Sequence, residues 1–203
     1  MKIYSQNDEQ VHIVNFFGDY VGNFLDIGAN DGVTLSNTCE LFRRGWGGVY
    51  VEPSERCFKE LLSIMLVHSN THGYNVAIGK ENGVFDFWES GEHLGKGDHG
   101  LLSSLKEGET KKWTKESFSK KQVEVWTVER LLSESPIKTF DFVSIDIEGL
   151  DYDVMVQMDF DLMGTKMICV ETNSKEDEKY IAFCEKFGFK VLHKTHENLI
   201  FAR

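Results

Sequence analysis

A glycine-rich segment flanked by acids carries the strongest chemical signal in this sequence. The segment Leu25–Gly32 (LDIGANDG) follows a short apolar run and precedes a stretch that can form a helix. Glycines at such a strand-to-helix turn let a ligand approach the backbone closely, as in nucleotide-binding turns. A dinucleotide fingerprint needs G-x-G-x-x-G, whereas Asn30 takes the place of the second glycine here. With acids at Asp26 and Asp31, the turn favours a ligand with a positive end, such as a sulfonium with an amino-acid tail.

Glu52 is a second candidate ligand-binding residue. It follows the apolar run Gly48–Val51 and lies 24 residues after Gly28. In doubly wound sheets, an acid at the end of the second strand accepts hydrogen bonds from the hydroxyls of a bound ribose. The alternative is an exposed acid ahead of a helix. Together with the glycine-rich turn, the ribose interpretation is favoured.

An acid pair in the segment Ser144–Gly149 (SIDIEG) is the third candidate. If the apolar strand before it persists, alternation places Asp146 and Glu148 on one side of the chain. Both would then lie at the carboxyl end of a central strand, where ligand crevices form. The alternative is a pair of helix-start acids, since Asp151 follows. Burying an acid without a partner is costly, which favours a role for the pair.

Two histidines are weaker candidates for contact with a substrate. His93 and His99 lie in a glycine-containing loop, and such loops often cover a substrate. Solvated loop histidines are an equally good interpretation. His193 and His196 flank a predicted turn and are expected to be surface residues.

A metal site is a lesser alternative. Asp146, Glu148 and Glu171 offer the oxygen ligands that hard cations prefer, but no ligand spacing in the sequence is diagnostic of a metal. The four cysteines lie far apart, with no C-x-x-C spacing, which argues against a zinc site or a disulfide framework. We therefore predict no metal.

The segment 106–121 is locally basic. It holds six lysines against three glutamates, together with Trp113 and Phe118. Basic and aromatic side chains together can grip an anionic glycan, a sugar nucleotide or single-stranded nucleic acid. More often such a run is a solvated face, and the sequence leaves both interpretations open.

The elements that must position these residues alternate between strand and helix, which predicts an α/β fold with a parallel sheet between helices. The segments 85–88 and 123–126, in which polar and apolar residues alternate, interrupt this succession of strands and helices and are predicted to form an inserted hairpin. The predicted helices are 7–17, 41–44, 53–62 and beyond, 151–158, and 174–187 with a capping box from Ser174 to Asp177. The predicted strands are 23–27, 48–52, 74–78, 85–88, 123–126, 140–147, 166–171, 189–192 and 199–202.

Composition places the chain among ordinary globular proteins. It has 203 residues, of which 41% are hydrophobic and 27% charged, enough for one domain. A formal net charge of -11 argues against duplex nucleic acid or an anionic membrane as the main partner. The first ten residues are polar and no run of 18 apolar residues occurs, so the expected location is cytoplasmic.

The chain resembles the FkbM family of S-adenosylmethionine-dependent methyltransferases. The resemblance rests on segments in the family's order between residues 24 and 149, and it departs at Ser144, where many members have lysine. These segments are FLDIGANDG, Ser36-Asn37-Thr38, Gly45–Gly48 leading into Val51-Glu52-Pro53, Asn75–Gly79, and FDFVSIDIEG.

The resemblance implies a single Rossmann-like (class I) methyltransferase domain over residues 1–203, with the insertion at about 80–127. It implies a mostly parallel seven-stranded sheet with a reversed last strand, S-adenosylmethionine as cofactor, and O-methylation of a saccharide or other small molecule. Carried over by position, Asp26, Gly28, Asn30 and Gly32 would hold the methionine part, Glu52 the ribose, and Asn75, Val76 and Ala77 the adenine. Asp146 and Glu148 would face the transferred methyl group and the acceptor, with Asp146 also touching the cofactor.

Two other functions stay open at this point. The chain could be a binding module that keeps the cofactor pocket without turnover, although the intact D-x-E-G argues against this. A nicotinamide-dependent dehydrogenase is contradicted by the missing second glycine. Acceptor contacts are expected from the segment 89–122, and the sequence predicts neither the acceptor's identity nor the oligomeric state.

Overall fold

The computed structural model describes residues 2–174 and 176–203. Its helices are α1 (Glu9–Phe17), α2 (Cys39–Arg43), α3 (Glu55–Met65), α4 (Glu107–Thr110), α5 (Val128–Glu134), α6 (Asp151–Met155) and α7 (Asp177–Glu185). Its strands are β1 (Asn23–Ile27), β2 (Gly47–Val51), β3 (Thr71–Tyr74), β4 (Ala77–Ile78), β5 (Gly83–Ser90), β6 (Phe118–Trp126), β7 (Phe142–Ile145), β8 (Met167–Glu171), β9 (Lys190–Lys194) and β10 (Asn198–Ala202).

Seven strands form the main sheet in the order β3-β2-β1-β7-β8-β10-β9. Strands β3, β2, β1, β7 and β8 pair parallel, whereas β10 is antiparallel to both of its neighbours. The predicted α/β class, with a mostly parallel seven-stranded sheet and a reversed last strand, is therefore confirmed.

Both faces of this sheet are buried, which explains the nearly unbroken apolar strands. Leu25, Val49 and Val143 pack into one hydrophobic cluster, and Phe24 and Phe142 pack into the other. Polar side chains within such strands are exceptions that need a partner or a function.

A second sheet, in the order β4-β6-β5, forms the insertion. Strands β5 and β6 pair antiparallel, and β4 joins β6 in parallel. The prediction of one strand over 74–78 was wrong, because β3 ends at Tyr74 and Ala77 opens β4 in the other sheet. The Asn75 side chain donates to the carbonyl oxygens of Glu52 and Pro53, which holds the chain in a turn between the two sheets.

Element boundaries differ from the predictions where local backbone geometry intervenes. The strand predicted over 140–147 ends at Ile145, because Glu148 and Gly149 adopt positive φ angles of 54° and 107°. Helix α3 begins as predicted, with Ser54 accepting the backbone N–H of Cys57. The capping box predicted at Ser174 is wrong, since α7 begins at Asp177 without a side-chain cap and Ser174 Oγ donates to the His196 carbonyl. Lys175, inside that predicted box, lies outside the described residues.

Two further observations concern the described part of the chain. None of its helices combines the length and the apolar character needed to cross a bilayer. All four cysteines are buried and free.

Candidate functional site

The parallel register places a row of functional side chains at one edge of the main sheet. Ile27 pairs with both Val51 and Ile145, and Ile145 pairs with Val170. The next residue on each strand therefore reaches the same carboxyl edge. These next residues are Glu52 after β2, Gly28 after β1, Asp146 after β7, and Glu171 at the end of β8.

A cavity of about 270 Å³ opens beyond this row. Asp26, Gly28, Asn30, Glu52, Val76, Ala77, Asp146, Glu148 and Glu171 all line it. The insertion contributes mainly apolar walls, from Phe87, Leu94, Leu101, Leu102, Leu105 and Trp113. A cavity with apolar walls and a few converging polar groups is the usual form of a small-molecule site.

Glu52 is fixed by two backbone donors. Its Oε2 accepts the N–H of Asn30 at 2.9 Å and its Oε1 accepts the N–H of Ser54 at 2.7 Å. The side chain is only 6% exposed, and burial raises its pKa to about 7 despite these two donors. Each carboxylate oxygen retains a further lone pair, so Glu52 can still accept hydrogen bonds from a ligand.

The glycine-rich turn is held from both sides. Asn30, at φ 50°, donates from its side chain to the His99 carbonyl oxygen at 2.8 Å. Asp31 accepts the backbone N–H groups of Val33 and Thr34. The Asp31 carboxylate therefore shapes the turn. Of the two acids in this segment, Asp26 is the one that lines the cavity.

Asp26 is buried beneath the turn. Its Oδ2 accepts the hydroxyl of Thr38 at 2.5 Å. Burial raises the pKa of Asp26 to about 6, although the Thr38 hydrogen bond opposes that shift. Thr38 belongs to the segment Ser36-Asn37-Thr38. Its hydrogen bond to Asp26 holds this segment beside the glycine-rich turn.

Three carboxylates meet after β7 and β8. Asp146, Glu148 and Glu171 each offer an oxygen within 4.8 Å of the others. The alternation argument for Asp146 and Glu148 was wrong, because the strand ends before them. A turn brings them together instead, and Asp151 holds that turn by accepting the N–H groups of Ile147 and Gly149, each at 2.9 Å.

Burial and mutual repulsion raise the pKa of every member of this cluster. The pKa of Asp146 rises to about 7, first because of burial and then because of Asp151. The pKa of Glu148 rises to about 8 through burial and the Asp146 charge. Glu171, only 8% exposed, has its pKa raised by burial and by the same neighbours. Carboxyl groups with pKa values near neutral pH, as at Asp146 and Glu148, suit proton transfer.

The insertion docks on the turn that carries these acids. Ser104 Oγ donates to the Glu148 carbonyl oxygen at 2.7 Å, and Lys106 Nζ donates to the Gly149 carbonyl oxygen. The insertion therefore closes one side of the cavity and is held to the acid-bearing turn by side chains of its own.

The two loop histidines have different positions. His93 lines the cavity, with Nδ1 3.1 Å from Glu116 Oε1 and its ring edge against Trp113. His99 contributes its carbonyl oxygen to Asn30 and Cys57. His99 is not among the described residues that line the cavity. Of the two loop histidines, His93 is therefore the one placed to contact a ligand.

Two further predicted cofactor residues lie behind the cavity wall. Gly32 is buried against α3, where an added Cβ would lie 2.7 Å from Leu61 Cδ1. Asn75 is exposed and braces the turn after β2. Neither belongs to the described lining, whereas Val76 and Ala77 do. The positions of Gly32 and Asn75 therefore indicate that they support the cavity wall and do not contact a ligand directly.

Sequence reasoning missed several lining residues. Gln6, Asn173, His196 and Glu197 reach the cavity from segments far away in sequence, so no local pattern marks them. His196 is exposed, as predicted for a surface residue, and it also borders the cavity. Asn37 could have been anticipated, since it belongs to a quoted segment. It is 9% exposed, its Nδ2 faces Ser144 Oγ at 3.4 Å, and its Oδ1 has no hydrogen-bond partner.

Comparison with known proteins gives a family and a fold. The family model described as "Methyltransferase FkbM domain" matches residues 26–191, about four fifths of the chain. No curated protein sequence matches the chain.

Two solved structures illustrate the fold. The ribosomal protein L11 methylase of Lactobacillus delbrueckii subsp. bulgaricus aligns with a TM-score of 0.56 at 8% identity, over 100% of this chain and 80% of that one. The precorrin-6y C5,15-methyltransferase of Geobacter metallireducens GS-15 aligns with a TM-score of 0.53 at 12% identity, over 100% of this chain and 92% of that one. At these identities the likeness concerns the fold alone.

Proposed function

The chain belongs to the FkbM methyltransferase family, with S-adenosylmethionine as cofactor, and we propose that it methylates a hydroxyl oxygen of a saccharide or other small molecule. The observation that supports this proposal best is the acid pair Asp146 and Glu148 after β7, which lines the cavity and whose pKa values are raised to about 7 and about 8 by burial and by neighbouring charge. A hydroxyl acceptor needs a base to take its proton during methyl transfer. Asp146 and Glu148 are the acids in position to do so.

The cavity fits this cofactor on grounds of donor and acceptor chemistry. S-adenosylmethionine supplies a methyl group on a positively charged sulfonium and also carries an α-ammonium group. Among the described lining residues there are acids and amides but no lysine or arginine. The unpartnered Oδ1 of Asn37 is a buried acceptor that a ligand donor would satisfy. Glu52 is placed for the ribose and Asp26 lies beneath the turn that would hold the methionine part.

The protein's own contribution to the reaction is position and proton removal. Asp151 fixes the turn, so that Asp146 and Glu148 face the cavity in one arrangement. Holding the acceptor in line with the methyl group can supply roughly 7–11 kcal/mol of the acceleration. Asp146 or Glu148, once ionised, accepts the hydroxyl proton. Because their pKa values lie at about 7 and 8, ionisation requires little free energy at neutral pH.

The charge of the walls favours a neutral acceptor. Carboxylates at Asp146, Glu148, Glu171 and Glu197 would repel a phosphate or a carboxylate on the acceptor. The basic segment 106–121 does not counter this, because none of its lysines is among the described residues that line the cavity, and several of them pair with other acids. Lys112 pairs with Glu109, Lys120 with Asp86, and Lys121 with Glu89. Neutral sugars are therefore better acceptor candidates than sugar phosphates or sugar nucleotides.

We also place the protein in a reducing, cytoplasmic setting. Support comes from the four free cysteines, all of them buried in the described structure.

The test begins with a screen of neutral sugars and their phosphorylated counterparts using cofactor with a labelled methyl group. With an acceptor in hand, Asp146→Asn and Glu148→Gln keep the side-chain shape and remove the charge. We expect turnover to fall by roughly 10²–10⁴ in the variant that lacks the base. Affinity for S-adenosylhomocysteine, measured by calorimetry, should change much less.

Glu129→Gln is the matched control, since Glu129 is an exposed acid at the start of α5 and outside the cavity. If both cluster variants retained full turnover, Asp146 and Glu148 would be structural acids, and His93 would be the next candidate base. Tight cofactor binding without methylation of any acceptor in a broad screen would favour a binding module instead.

A further inference from the structure

A second cluster of metal-binding atoms lies on the surface, outside the cavity. It is formed by Asp8 and His12, one turn apart at the start of α1, and by His193 of β9. His193 Nε2 lies 2.9 Å from Asp8 Oδ1, and His12 Nε2 lies 3.5 Å from Asp8 Oδ2. One atom from each side chain lies within 4.8 Å of the other two. We call these three residues the surface triad.

The position of Asp8 supports a role for its carboxylate here. Asp8 occupies the N-cap position of α1, where an aspartate commonly accepts a backbone N–H of the first turn. It makes no such side-chain hydrogen bond. Its carboxylate spans the two imidazoles instead, whose rings stack at a centroid distance of 3.7 Å and an interplanar angle of 17°.

A network of hydrogen bonds around Glu9 supports the surface triad. Glu9, which is 0% exposed, accepts hydrogen bonds from Asn198 Nδ2 at 3.0 Å and from Thr195 Oγ1 at 3.1 Å. It also accepts the backbone N–H and the side-chain amide of Asn7. These contacts fix the start of α1 against the β9–β10 hairpin, so the three groups are held together by the fold.

We propose that the surface triad binds a divalent transition metal of the zinc class. Two imidazole nitrogens and one carboxylate oxygen are a ligand set that Zn²⁺ accepts, with water completing a tetrahedral site. The imidazoles are 33% and 26% exposed. They therefore have room to turn out of the stacked arrangement, so that both Nε2 lone pairs converge on the ion.

Binding at this site would connect two segments that border the cavity. Gln6 lies two residues before Asp8, and His196 and Glu197 lie in the turn after β9. All three line the cavity. An ion held between α1 and β9 would restrain both segments, and it would stabilise the folded chain because the unfolded chain lacks the preformed site.

The test uses the full chain without a histidine tag. Co²⁺ is titrated first, because tetrahedral Co²⁺ gives visible absorption bands, and Zn²⁺ is then measured by calorimetry and by the shift in melting temperature. We expect one ion per chain. Asp8→Asn and His193→Asn should each lower the affinity by roughly tenfold or more and should therefore reduce the melting-temperature increase at a given Zn²⁺ concentration.

His72→Asn is the matched control, because β3 and β9 are opposite edges of the main sheet. Circular dichroism confirms that each variant is folded. The proposal is overturned if the wild-type chain binds no Co²⁺ or Zn²⁺, or if the triad variants bind as tightly as the wild type. Loss of binding in Glu171→Gln alone would assign the ion to the acid cluster and would also overturn it.

Discussion

At the scale of residues, the candidate site consists of polar groups placed where the sheet is otherwise apolar. Asp26, Ser144 and Glu171 are buried polar members of strands that otherwise consist mainly of core residues. Such positions cost free energy unless a partner or ligand compensates. For Asp26 the partner is Thr38, whereas Asn37 Oδ1 lacks one among the described residues. Because Asn37 also lines the cavity, a ligand donor there would satisfy this acceptor.

Glu52→Gln should weaken binding of S-adenosylhomocysteine. The amide would set an NH2 group against one of the two backbone N–H donors that Glu52 now accepts, and it would remove the charge that a ribose hydroxyl meets. Loss of a hydrogen bond to a charged group costs about 1.5–3 kcal/mol, so the dissociation constant should rise roughly 10- to 100-fold. Calorimetry measures the change.

The control for this change is Glu55→Gln, an exposed acid in the first turn of α3. Unchanged affinity in a folded Glu52→Gln variant would remove the ribose assignment.

The sequence predicts those site residues that local position defines. Asp26, Glu52 and Asp146 adjoin strands and a glycine-rich turn, so strand order alone brings them to one edge. Residues such as Gln6 and Glu197 reach the cavity through contacts distant in sequence. No periodicity or motif encodes such contacts, which is why these residues could not be predicted.

At the scale of elements, the site depends on the close approach of the β1 turn to β7. Gly28 has a φ of 90°, and an added Cβ would lie 1.7 Å from the Asp146 carbonyl oxygen. The backbone N–H of Asp146 donates to the Ile27 carbonyl at 2.9 Å, so the two strand ends cannot separate without losing a hydrogen bond. A side chain at this position would force the ends of β1 and β7 apart.

Gly28→Ala should therefore destabilise the fold and prevent cofactor binding. Positive φ strain and displacement of β7 should together cost at least about 2 kcal/mol of unfolding free energy. Urea unfolding measures the loss. Gly108→Ala is the control, since an added Cβ there meets nothing within 4 Å and the residue lies in α4. Equal stability of the two variants would contradict the close-approach argument.

The prediction of helices and strands succeeded where apolar runs are long, and it failed where a polar turn determines the boundary of an element. The inner strands of the main sheet, β1, β2, β7, β8 and β10, are buried, so their apolar composition identifies them. The segment 74–78 was misassigned because its apolar residues serve two different sheets on either side of Asn75. The start of α7 was misassigned because Asn173, Ser174 and Glu176 all adopt positive φ angles. The residue types at these positions do not predict that backbone conformation.

At the scale of the whole molecule, the acid cluster lowers the free energy of unfolding of the cofactor-free protein. The chain carries a net charge of -11 and still brings Asp146, Glu148 and Glu171 within 4.8 Å of one another. Like charges in a buried site raise each other's pKa and oppose folding. A site that tolerates this cost is prepared for a positively charged ligand, which agrees with a sulfonium cofactor.

The unfolding free energy should therefore respond to pH in a definite direction. Carboxyl groups of the unfolded chain release their protons near pH 4, whereas the pKa of Glu148 is about 8 in the folded protein. Between these values the folded state holds more protons, so this group's contribution to stability is present below about pH 4 and is lost as pH rises towards 8. Glu148→Gln removes the titration. Relative to the wild type, the cofactor-free variant should gain melting temperature progressively from about pH 5.5 to about pH 8.5. Glu129→Gln should show no such trend, and a gap between Glu148→Gln and wild type that stayed constant or shrank with pH would show that Glu148 is already ionised in the folded protein.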